Sequence, residues 1–182
     1  VQIRMAESDY FLRRYSRVRD DLAPFLEQAA RRAEARFFHL MTTQRLGSRD
    51  QYIAQTRALA DEFPASSWAE EALNNLASFH VVNDEDDQAD VVFRDIASRF
   101  PSGRYTARAL WKVGWRAYRQ KQYAEAADVF ERAAVAPERG DGLVRLLEDD
   151  GGAGAVQVGH GAAVDIACAV DIFGAAQLAR GI

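Results

Sequence analysis

Three prolines, Pro64, Pro101 and Pro137, stand 37 and 36 residues apart, and the residues around the first two coincide. Phe63-Pro64-Ala65-Ser66-Ser67-Trp68-Ala69-Glu70-Glu71-Ala72-Leu73 lies over Phe100-Pro101-Ser102-Gly103-Arg104-Tyr105-Thr106-Ala107-Arg108-Ala109-Leu110, with Phe, Pro, an aromatic residue, Ala and Leu in register. A period in the thirties restricts a chain to stacked helical hairpins, because one hairpin cannot bury its apolar face alone. The sequence therefore predicts an all-α solenoid of about three and a half hairpins over residues 1–137. Arrays of this kind present extended surfaces for binding.

Within each copy the apolar residues recur at helical spacing. Residues 104–136 give the clearest hairpin: Ala109, Val113 and Ala117 with Gly114, a polar break at Gln120-Lys121-Gln122, then Tyr123, Ala126, Phe130 and Ala133. The small Gly114 and Ala126 allow two helices to approach closely, with Phe130 filling the space beside them. One period earlier, Ala72, Leu73, Leu76, Ala77, Ala89, Phe93 and Ile96 take the equivalent places around a turn at Asn83-Asp84-Glu85-Asp86-Asp87, and Ser67-x-x-Glu70 reads as a capping box. A third copy runs from Ala30 to Arg45, turns at Leu46-Gly47, restarts behind a Ser48-x-x-Gln51 cap and carries Tyr52, Leu59 and Phe63. Tyr15, Val18, Leu22 and Phe25 form a partial first copy, truncated at its N-terminus, in which Pro24 is expected to kink or end the helix.

The set Gly114, Tyr118, Tyr123, Ala126, Phe130, Ala133 and Pro137 resembles a tetratricopeptide repeat. Asn75 and Lys112 occupy equivalent positions on the first helices of adjacent hairpins. In tetratricopeptide proteins that position faces the concave surface, so the resemblance implies contacts to a bound peptide or protein there. An amide can bond a peptide backbone and an ammonium can hold a carboxylate. A solvated surface is the other reading of both residues.

After Pro137 the composition changes. Nine of the twelve glycines lie between 140 and 181, and Phe173 is the only aromatic residue of that stretch, so no steady helical period survives. Residues 138–182 read either as a Gly/Ala-rich tail or as GC-rich DNA translated in a wrong frame, and on both readings they are expected to be poorly structured.

Several chemistries find no support. The formal charge of −4, without a basic block carrying interleaved aromatics, argues against nucleic acid. No apolar run is long enough to span a bilayer. The single cysteine, Cys168, excludes a disulfide within the chain. His39, His80 and His160 share no metal-ligand spacing, and Asp84-Glu85-Asp86-Asp87 lacks the central Gly of a calcium loop. Gly151-Gly152-Ala153-Gly154 lacks the Lys-Ser/Thr of a phosphate loop. No cofactor or catalytic residue is expected in this chain. Trp111, Trp115 and Tyr118 form a second apolar stripe, suited to packing between hairpins or, in the alternative, to stacking on sugar rings.

The segment Ala109-Leu110-Trp111-x-x-Gly114-Trp115-x-x-Tyr118, followed by Tyr123-x-x-Ala126 and preceded by the Phe-Pro-x-Ser hairpins, resembles the N-terminal superhelical domain of bacterial soluble lytic murein transglycosylases. The resemblance covers residues 8–137. It implies a cell-envelope or periplasmic scaffold that holds peptidoglycan glycan strands beside a catalytic domain in cis. In that family the catalytic domain uses a Glu-Ser motif supported by Gly-Leu-Met-Gln. This chain has no Gly-Leu-Met-Gln, and its one Glu-Ser, Glu7-Ser8, lies at the wrong end. The resemblance thus implies an enzyme's scaffold with the catalytic domain missing. A stand-alone tetratricopeptide adaptor is the competing expectation.

Overall fold

The computed structural model describes residues 2–136, in which eight α-helices follow one another with no strand among them. They are α1 (Gln2–Phe11), α2 (Tyr15–Leu22), α3 (Arg32–Arg45), α4 (Arg49–Glu62), α5 (Ser67–Val82), α6 (Asp86–Arg99), α7 (Thr106–Arg119) and α8 (Tyr123–Val135). The fold is all-α and made of consecutive helical hairpins. Pro137 and the expected tail, 138–182, lie outside the described residues. The partial first hairpin has both its helices, because α1 supplies the partner that the sequence pattern did not show. Pro24 acts as expected: α2 stops at Leu22 and a single 3-10 turn, Ala23–Phe25, follows it.

The four hairpins share one turn. At the end of each first helix a residue enters the left-handed region: Arg13 (φ 60°), Gly47 (φ 85°), Asp84 (φ 58°) and Lys121 (φ 63°). The next N–H reaches back five residues, from Arg14 to Asp9, Ser48 to Thr43, Glu85 to His80 and Gln122 to Ala117, at 2.9, 3.2, 2.9 and 2.9 Å. This is the Schellman closure, which satisfies carbonyls that the helix leaves open. The carbonyls of Arg14, Ser48, Glu85 and Gln122 then accept the first bonds of α2, α4, α6 and α8. Positions 47, 84 and 121 are 37 apart, so the sequence period is a period of backbone conformation.

The link between hairpins also repeats. Phe63 N–H donates to Leu59 and Ser66 N–H to Phe63, both at 3.0 Å. One period on, Phe100 N–H donates to Ile96 at 3.0 Å and Gly103 N–H to Phe100 at 2.8 Å. The cap of α5 differs by one residue from the expected box. Ser66 is the N-cap, its hydroxyl accepting the Trp68 N–H at 3.2 Å, and Ser67 already lies in the helix. A serine one place earlier reaches the N–H two residues on, which is the usual capping geometry. Ser48 does stand at the N-cap of α4, but its side chain makes no capping bond.

The chain divides into two compact units inside α6, between Val92 and Phe93. In the first, each helix packs on the next (α1 on α2, α2 on α3, α3 on α4, α4 on α5), and first helices pack on first helices, α1 on α3 and α3 on α5. Val18, Leu22, Ala35, Leu40, Tyr52, Leu59, Leu73 and Leu76 are fully buried between them. Aromatic rings run through these layers: Tyr10 meets Phe38 at 5.7 Å, and Trp68 meets Phe37 at 5.0 Å and Phe38 at 5.6 Å. In the second unit α7 packs on α8 around Ala117, Ala126 and Phe130.

Candidate functional site

The aromatic stripe of α7 sits on the α7–α8 core. Gly114 is buried and presses its backbone against the Phe130 ring, and the Trp111 ring lies tilted 5.1 Å from that of Phe130. One turn further along α7, Trp115 stacks on Tyr118 at 5.5 Å with the rings only 19° from parallel. Tyr118 meets Tyr123, the first residue of α8, at 5.7 Å. Trp111, Trp115 and Tyr118 are half-buried, and Tyr123 is 56% exposed. Trp115, Tyr118 and Tyr123 thus form a run of three touching rings from two helices, and Trp111, Trp115 and Tyr118 pack against the Ala117–Ala126–Phe130 core. Ring faces held in this way can stack on flat or apolar ligand surfaces without first being ordered.

Asn75 lies on α5 and Lys112 on α7, at the register the sequence assigned to them, and both are half-buried. The Asn75 amide turns toward α3, where its Nδ2 approaches Met41 Sδ at 3.7 Å. Of the remaining signature positions, Ala72 and Leu76 are fully buried on α5, and Ala89 and Phe93 are buried on α6. These residues build the core.

The acidic run has structural partners. Asp84 is the left-handed residue of its turn, and Asp86 and Asp87 open α6, where negative charge suits the helix N-terminus. Glu85 bonds the Arg49 guanidinium and, at 2.7 Å, Nδ1 of His80. First Arg49 and then His80 hold the Glu85 carboxyl below its usual range. Arg49 lies in turn over the ring of Phe79, which packs edge-on against Tyr52. His80 is buried, and its Nε2 has no partner among the described residues. Burial, and then the charge of Arg19, push His39 below the usual histidine range. No group of three His, Cys, Asp or Glu side chains among the described residues could hold a metal ion, and no described helix is long and apolar enough to cross a membrane. His160, Cys168 and the Gly151–Gly154 stretch lie outside the described residues. Glu7-Ser8 lies within α1, where Glu7 pairs with Arg4 at 2.8 Å and the Ser8 hydroxyl donates to the Arg4 carbonyl at 3.1 Å.

A second cluster was not singled out from the sequence. It gathers Tyr10, Phe11, Arg13 and Tyr15 around the first turn with Arg45 from the end of α3. Its one sequence signal is positional: Arg13 and Arg45 both stand at the turn ends of first helices. Comparison with known protein families finds no matching family, and comparison with curated proteins finds no match.

Proposed function

We propose that this chain is the helical scaffold region of a peptidoglycan lytic transglycosylase, which holds glycan strands for a catalytic domain in cis in the cell envelope. The observation that carries the reading is the aromatic edge of the α7–α8 hairpin, where Trp115, Tyr118 and Tyr123 touch in sequence and Trp111 packs on Phe130. The same residues carry the sequence resemblance to that family. Pyranose rings offer apolar C–H faces, and stacked aromatic rings receive such faces with little loss of side-chain freedom. The proposed role is binding, with no bond-making step assigned to this chain.

Co-sedimentation with purified sacculi tests the reading. The chain is expected to pellet with them, Trp115→Ala and Tyr123→Ala are each expected to leave more of it in the supernatant, and no anhydro-ended fragments should be released. A chain that stays in the supernatant contradicts the scaffold role, and release of anhydro ends contradicts the assignment of catalysis to a separate domain.

A second reading, a tetratricopeptide adaptor that binds a peptide or protein, draws on the equivalent placement of Asn75 and Lys112 on α5 and α7. Under it, Lys112→Ala would abolish capture of an acidic peptide, and substitutions at Trp115 would leave capture unchanged.

A further inference from the structure

We propose that the cleft at the turn end of the first two hairpins binds a carboxylate carried on a flat or apolar body. The cleft has a volume of about 350 Å³ and is lined by Tyr10, Phe11, Arg13, Tyr15 and Arg45. The inference stands apart from the scaffold reading, since it uses neither the α7–α8 edge nor the repeat signature.

The argument begins with charge. The chain has 27 acidic and 23 basic side chains, so carboxylates are not scarce. Arg13 and Arg45 nevertheless take part in no ion pair among the described residues. A larger cleft nearby, of about 670 Å³, shows the contrast. Its three arginines are already matched: Arg4 with Glu7 at 2.8 Å, Arg14 with Asp9 at 2.9 Å and Arg17 with Asp9 at 3.2 Å. Only the smaller cleft brings together two guanidinium groups whose planar donor forks remain available to an external anion.

The walls supply the second half of the site. The Tyr10 ring stands 5.6 Å from Phe11 and 5.6 Å from Tyr15, and Phe11 is 71% exposed, so an aromatic surface lies beside the charges. Arg45, at the end of α3, lines the same cleft beside the Tyr10 and Tyr15 rings.

Calorimetric titration of the full chain with benzoate, benzamide and inorganic phosphate tests the assignment. Benzoate is expected to bind, with benzamide and phosphate each weaker by about tenfold or more, as loss of a charge-assisted contact or of the stacked body requires. Arg13→Gln and Arg45→Met are each expected to weaken benzoate by about tenfold. Arg13 is exposed, so Arg13→Gln decides the matter if Arg45→Met fails to fold. The proposal is overturned by no benzoate binding up to about 20 mM, by benzamide binding equally well, by phosphate binding equally well, or by an Arg13→Gln chain that binds benzoate unchanged.

Discussion

Gly114 and Phe130 are in contact through the absence of a side chain. A Cβ on Gly114 would stand 2.7 Å from Phe130 Cε1 and 2.8 Å from Cδ1. The ring is buried and backed by Trp111, so it cannot swing clear without disturbing the aromatic edge. Alanine would gain about 1 kcal/mol in helix propensity, against an overpacking cost of up to about 3 kcal/mol. Gly114→Ala is therefore expected to lose about 1 kcal/mol net in urea denaturation, and adding Phe130→Leu is expected to recover part of the contact strain. A neutral Gly114→Ala would show that α7 and α8 are not pressed together at this point.

The shared turn predicts a gain. Lys121 adopts φ 63°, a conformation that costs a residue with a Cβ about 1–2 kcal/mol. Glycine relieves that cost but gives back part of it through the freer unfolded chain. Lys121→Gly is expected to raise stability by about 0.5–1 kcal/mol and to leave helix content unchanged by circular dichroism. Gly47→Ala, at the equivalent turn with φ 85°, is expected to lower it.

Much of this architecture is legible in the sequence because its period is carried by side chains that must be small or apolar. Gly114, Ala126 and Phe130 announce a close helix pair, and Leu46-Gly47 announces a turn. The turns at Asn83–Asp87 and Gln120–Gln122 are legible as polar breaks, but the left-handed residue within each, Asp84 or Lys121, is not, since the closing backbone bonds override the preference of those residues for φ below zero. The first helix was hidden because α1 buries only Ile3, Ala6 and Asp9, too few apolar positions to establish a period. Ser66 and Ser67 both fit a capping motif, and only the backbone angles choose between them. The Tyr10–Arg45 cleft could not be found by spacing, because its walls are 35 residues apart and meet only when the hairpins stack.

Tyr52 predicts an alkaline limb. Burial raises its pKa in the folded chain above the ordinary tyrosine value of 10.0, so the unfolded state loses this proton first. Stability attributable to Tyr52 is complete below pH 10 and declines as pH rises from there toward the folded value. Tyr52→Phe removes the buried hydroxyl that has no partner. Thermal unfolding of the variant is expected to match or exceed wild type at pH 7 and to show a smaller loss above pH 10.

Glu85 predicts the opposite limb. Arg49, then His80, depress its pKa below the ordinary glutamate value of 4.5 in the folded chain. Its contribution is complete above pH 4.5 and lost as pH falls through the depressed value. Glu85→Gln is expected to flatten the stability profile below pH 4.5, and an unchanged acid limb would show that the Arg49–Glu85–His80 contacts do not persist in solution.

The three tryptophans allow a direct test of glycan binding, because each indole N–H gives its own NMR resonance and Trp68, packed against Phe37 and Phe38 in the first unit, is no part of the proposed edge. Titration with solubilised peptidoglycan glycan strands is predicted to shift the Trp111 and Trp115 signals and to leave Trp68 in place. Unmoved Trp111 and Trp115 signals at saturating glycan, or a shift confined to Trp68, would contradict the assignment of the α7–α8 edge as the glycan-binding surface.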